Sequence, residues 1–100
     1  MIKLLLTWDI KQGRDQEYFE FIVREFGPGM KRLGLNLTSA WLAIYGECPQ
    51  ILMEGVADDL PTVRRALASE EWKKLHEQLM EYVENYQQKI VRASGKDFQL

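Results

Sequence analysis

The chain has 100 residues, 46% of them apolar and 11% aromatic, which is the composition of one ordinary globular domain with a single core. Thirteen Lys and Arg stand against fifteen Asp and Glu, a formal net charge of −2. The charges are spread along the chain, so there is no basic field for nucleic acid or anionic lipid head groups, and neither is expected as a partner.

The first apolar run, residues 2–9, is too short to span a membrane and lacks the small-residue cleavage site of a secretory leader. It reads as a central strand of a cytoplasmic protein, ended by Gly13. From Arg14 onward Tyr18, Phe19, Ile22, Val23 and Phe26 recur every three or four residues among charges, the period of an amphipathic helix. Gly27-Pro28-Gly29 then predicts a break or kink.

Residues 35–45 and 49–57 are rich in β-branched, aromatic and aliphatic side chains, and Gly46-Glu47-Cys48-Pro49 separates them as a hairpin turn. The lone Cys48 has no partner in the chain for a disulfide and reads as an incidental turn thiol. Asp58 and Asp59 predict a helix start, with Pro61 in its first turn. Ser69, followed by Glu70 and Glu71, predicts a second N-cap and therefore a step in the helical segment. Trp72, Leu75, Leu79, Met80, Tyr82 and Val83 form the apolar stripe beyond it. Asn85 permits a helix end, and residues 86–93 alternate as a last strand; residues 94–100 are expected to be a tail of the single domain 1–93.

A βαββαβ order is the ferredoxin-like α+β arrangement, a four-stranded antiparallel sheet with the helices on one face. Alternation assigns Ala40, Leu42, Ile44, Ile51, Met53, Gly55 and Ala57 to the helix-covered face. It assigns Leu37, Trp41, Tyr45, Leu52, Glu54 and Val56 to the other. That second face is too apolar for open water, so a second copy of the chain is the expected cover. A homodimer follows.

Element order, together with the run Leu67-Ala68-Ser69-Glu70-Glu71-Trp72-Lys73-Lys74-Leu75-His76, resembles the dimeric α/β-barrel superfamily. The run is similar to the Ser-x-x-aromatic-x-x-x-His stretch of antibiotic-biosynthesis-type monooxygenases. The resemblance implies paired sheets and a ligand cavity between sheet and helices, but members range from cofactor-free monooxygenases and isomerases to heme-degrading enzymes and proteins of no known activity. In the heme-degrading relatives the matching histidine is the iron ligand, supported by a tryptophan ten residues earlier and an asparagine in the first strand. Here Ala66 and a strand of Leu, Thr, Trp and Asp stand at those places, so tight heme binding is not expected.

Two residues are candidates for proton transfer. His76, the one histidine, lies at the edge of the apolar stripe; its alternative is a half-exposed structural role. Glu54 lies mid-strand among apolar neighbours, where burial would favour the protonated form unless a cation pairs with it. Arg92 and Gln88 could satisfy it if their side of the last strand faces the same way. Trp8, Trp41, Tyr45 and Trp72 could line an aromatic pocket, with Asp9 at its mouth and Arg92 as a cation, or could simply be core and interface. No cluster of Cys and His suggests zinc, and no phosphate loop suggests a nucleotide, so no cofactor is expected. The function read from the sequence is small organic ligand binding by a dimer. The alternative is a cofactor-free monooxygenase or isomerase for an aromatic or polyketide-like substrate, with His76 and Glu54 moving the proton.

Overall fold

In the computed structural model, which describes the backbone of residues 1–45 and 48–92 and the side chains of 1–38 and 51–92, β1 spans Ile2–Ile10. Its alternate residues Ile2, Leu4, Leu6, Trp8 and Ile10 are buried under the helices. A helical run follows as α1 (Asp15–Phe21), a π-helical turn (Ile22–Phe26) and α2 (Gly27–Arg32). Then come β2 (Asn36–Tyr45), β3 (Cys48–Ala57), α3 (Leu60–Leu67), α4 (Glu70–Leu79) and β4 (Val83–Arg92). The strands form one antiparallel sheet in the order β2-β3-β1-β4, so the expected ferredoxin-like architecture is present. The 46–49 turn and the 94–100 tail were singled out in the sequence; residues 46 and 47 and the tail lie outside the described residues, as do the side chains of Trp41, Tyr45 and Cys48.

Of the break or kink expected at Gly27-Pro28-Gly29, the break does not occur; the irregularity is a π-helical turn over Ile22–Phe26. Pro28 has no N–H to give to the carbonyl four residues back, which ordinarily disrupts a helix. The π-helical turn absorbs the defect: Gly27 N–H bonds to the Ile22 carbonyl, five residues back, and the helix runs on to Arg32. Gly29 then allows α2 to lie close against α4. A Cβ at that position would fall 2.5 Å from Leu75 Cδ1.

The step between α3 and α4 is built as the sequence indicates. Asp59 Oδ1 accepts the Thr62 N–H at 2.9 Å and starts α3; the Thr62 hydroxyl and amide hold its carboxyl below the usual carboxylate range. Ser69 Oγ accepts the Trp72 N–H at 3.1 Å and donates to the Ala66 carbonyl at 2.6 Å, ending one helix and starting the next. Replacing Ser69 by Ala is expected to lower stability by about 1 kcal/mol in chemical denaturation, since the Trp72 N–H in the first turn of α4 loses its side-chain acceptor. An unchanged midpoint would show that solvent replaces the cap.

Helix α4 ends sooner than its apolar stripe. Tyr82 N–H bonds to Leu79 O at 2.9 Å, Lys11 N–H bonds to Tyr82 O at 2.8 Å, and Val83 pairs with Ile10. Strand pairing with β1 has captured the end of what reads as helix, a tertiary override of local periodicity.

Candidate functional site

Two irregularities decide which residues share a face. In β2 the register shifts between Leu37 and Ser39, so Leu37 lies opposite Gly55 while Trp41 lies opposite Leu52. The extra residue, Thr38, switches the alternation, and Leu37 joins the helix-side core rather than the open face to which simple alternation assigned it. In β4 the shift falls between Thr7 and Asp9 of its partner β1. Asn85 sits there at φ 58°, a left-handed conformation that asparagine tolerates, and its Nδ2 donates to Asp9 Oδ2 at 2.8 Å. Beyond this bulge Gln88, Ile90 and Arg92 lie opposite Leu6, Leu4 and Ile2, on the helix side.

Arg92 and Gln88 therefore do not reach Glu54, which is on the other face. The cation that meets Glu54 is Lys3, one strand over, in an ion pair whose side chains are only 14% and 21% exposed. Around it the open face carries Leu5, Leu52 and Val56, all half-buried. Asp9 belongs to this face too, with one carboxylate oxygen engaged by the Asn85 amide.

The helix side holds the aromatic residues. Trp8 is fully buried, and its Nε1–H donates to the Tyr18 hydroxyl at 2.9 Å. Burial pushes the Tyr18 phenol up to about 12, so it is a neutral acceptor throughout the physiological range. Tyr86, aimed at the helices by the bulge, stacks on Trp8 with ring centroids 6.1 Å apart and planes 8° from parallel. His76 of α4 meets the Tyr86 ring edge-on at 4.7 Å and lies 5.7 Å from Trp72, which in turn packs against Phe26. The Tyr86 hydroxyl donates to Gln88 Oε1 at 2.8 Å, and burial raises its pKa above the ordinary phenol value.

Of the residues singled out in the sequence, His76, Trp72, Trp8 and Arg92 are thus on one side of the sheet, and Glu54 and Asp9 on the other. A single subunit does not bring His76 and Glu54 together as a proton-transfer pair. Trp8 backs the cluster and is not a lining residue. Tyr86 is the member that sequence reasoning missed, and Gln88, read there as a possible partner of Glu54, belongs instead beside Tyr86; the signal was Asn85, a residue suited to a left-handed bulge immediately before an aromatic. Among the described residues no group of His, Cys, Asp and Glu could hold a metal ion. A concavity of about 460 Å³ lies elsewhere, between α2 and α4, but Glu25, Arg32, Glu70, Glu71 and Lys74 line it with charges of both signs, and Arg32 and Glu71 already pair across it.

Neither a family model nor a curated protein matches the sequence. Solved structures do match in shape. A NIPSNAP family protein from Agrobacterium tumefaciens superposes with a TM-score of 0.73 at 17% identity, over 94% of this chain and 93% of its own. A candidate antibiotic biosynthesis monooxygenase from Deinococcus radiodurans gives 0.72 at 12% identity, over 94% and 93%. An Arabidopsis thaliana protein gives 0.76 at 11% identity, over 95% and 97%. With its strand order, helix placement and these neighbours, the chain has a ferredoxin-like α+β fold, the fold of the NIPSNAP-domain and antibiotic-biosynthesis-monooxygenase-like proteins it superposes on.

Proposed function

We propose that the protein is a homodimer that binds a small organic ligand between sheet and helices, at the shelf formed by His76, Tyr86 and Trp72. The observation that carries this reading is the His76 imidazole, half-buried and edge-on to Tyr86, with uncovered helix-side strand immediately beyond it. A flat ring can stack there, with the imidazole and the Gln88 amide as hydrogen-bonding groups. The open sheet faces of two copies cover each other. At about 25 cal/mol per Å² over roughly 800 Å² per partner, such a cover supplies some tens of kcal/mol of gross driving force, ample against the cost of association. No helix of the described residues is long and apolar enough to cross a membrane, and a cytoplasmic location fits the composition.

A second reading, a cofactor-free monooxygenase or isomerase, is favoured by the placement of that same imidazole against two aromatic rings. There His76 alone would take a proton from an acidic carbon or phenol of a bound aromatic or polyketide-like substrate. Heme does not fit: Ala66 is 3% exposed within the core, and the buried Trp8 fills the space behind Tyr86.

Calorimetric titration with 1-naphthol is the test. His76→Ala is expected to weaken binding at least about tenfold, through loss of one ring contact and one hydrogen bond, and hemin is expected to give no His76-dependent Soret shift. Equal naphthol affinity in the variant would remove His76 from the site. A stoichiometric hemin shift lost in His76→Ala would replace this reading with a heme-based one.

A further inference from the structure

We propose that the helix-side stripe of β4 binds an elongated amphiphile with a single carboxylate, its apolar end against His76 and Tyr86 and its carboxylate at Arg92. The inference rests on reading the His76–Tyr86 cluster as a ligand shelf and names what that shelf takes. Beyond the bulge, Tyr86, Gln88, Ile90 and Arg92 lie in line on the helix side, beside Trp8, Leu6, Leu4 and Ile2 of β1. Helix-side positions of β1 are at most 5% exposed, whereas Ile90 is 40% exposed and Gln88 and Arg92 are exposed as well. Helix α3 packs over β1 and β3, and beside it Gln88, Ile90 and Arg92 of β4 stay exposed.

The stripe therefore has a sequence of chemistries. It runs from two aromatic rings through an amide and a branched aliphatic side chain to a permanent cation, over six residue steps of strand or about 20 Å. Among the described residues Arg92 has no ion-pair partner. A planar guanidinium at the end of an apolar track matches a carboxylate bidentately. One cation on a chain of net charge −2 does not suit a polyanion such as a nucleotide or nucleic acid.

The full-length protein, carrying labelled Ile and Val methyl groups, is titrated with dodecanoate and with dodecanol and followed by NMR. Dodecanoate is expected to shift the Ile90 methyls and the His76 ring. R92Q, at an exposed position, is expected to weaken dodecanoate at least about tenfold and to leave dodecanol unchanged. Dodecanol binding the unmodified protein as tightly as dodecanoate, or R92Q leaving dodecanoate affinity intact, would overturn the proposal. So would Val23, 73% exposed on the outer helical surface, responding as strongly as Ile90, since that is non-specific adsorption. Ile90 shifts that follow protein concentration and not dodecanoate would overturn it too, by assigning the stripe to a second copy. The shelf itself is judged separately by 1-naphthol, which has no carboxylate: its His76-dependent binding survives if only the amphiphile proposal fails, and is absent if the shelf is not a site.

Discussion

Trp8→Ala is expected to destabilise the fold by about 3–5 kcal/mol, a large part of the stability available to a domain of this size. The side chain is fully buried, packs edge-on against Tyr18 and Phe26, and stacks beneath Tyr86. Its removal leaves a cavity at the centre of the helix-side core and deprives the buried Tyr18 hydroxyl of its donor. Trp8→Phe should lose less, because it keeps most of the packing and gives up the hydrogen bond. Urea denaturation of the two variants measures both effects; a loss below about 1 kcal/mol in Trp8→Ala would mean that the site collapses around the smaller side chain and that Trp8 is not what holds Tyr86 in place.

If the proposed dimer forms through the open sheet faces, Leu52→Glu is expected to leave the protein monomeric at micromolar concentration. Leu52 lies on the open face opposite Thr7 in β1 and Trp41 in β2, beside the Lys3–Glu54 pair. A carboxylate there would be taken from water on dimerisation beside Lys3, which Glu54 already engages, and in a two-fold interface the charge enters twice. Leaving one charge buried and unpaired costs several kcal/mol, a weakening of three orders of magnitude or more. Sedimentation velocity distinguishes the species. A stable monomer for the unmodified chain would overturn the dimer, and a dimer indifferent to Leu52→Glu would place its interface elsewhere. The amphiphile stripe is on the opposite face, so its ligand response should survive in the monomer.

Element order and the helix caps were legible because they depend on local chemistry. Asp59 and Ser69 cap where their side chains reach the next turn's amides, and β3 alternates cleanly from Ile51 to Ala57. What was not legible arose where one residue changes the geometry of everything after it. Thr38 carries no turn signal, yet as an inserted residue it moves Leu37 to the core. Asn85 reads as a helix end and is instead the bulge that turns Tyr86, Gln88 and Arg92 to the helices. Since strand side chains alternate with a period of two, a single inserted residue inverts the face of each position beyond it. His76 and Glu54, both reasonable proton carriers on the sequence, are on opposite sides of the sheet for a plainer reason: His76 is on α4, and Glu54 is on the face of β3 turned away from the helices. Pro28 illustrates the complementary case: a local breaking signal that a π-helical turn, held by close packing of Gly29 against Leu75, overrides.

That the ligand site lies on the helix side, with the open face reserved for the second subunit, is tested most directly by a chemical-shift map of the unmodified protein with 1-naphthol. The expected result is perturbation of His76, Tyr86, Gln88 and Trp72, with Lys3, Leu5, Glu54 and Val56 unmoved. Perturbation of the Lys3–Glu54 face with a silent His76 would contradict the account and move the ligand into the space between the two sheets.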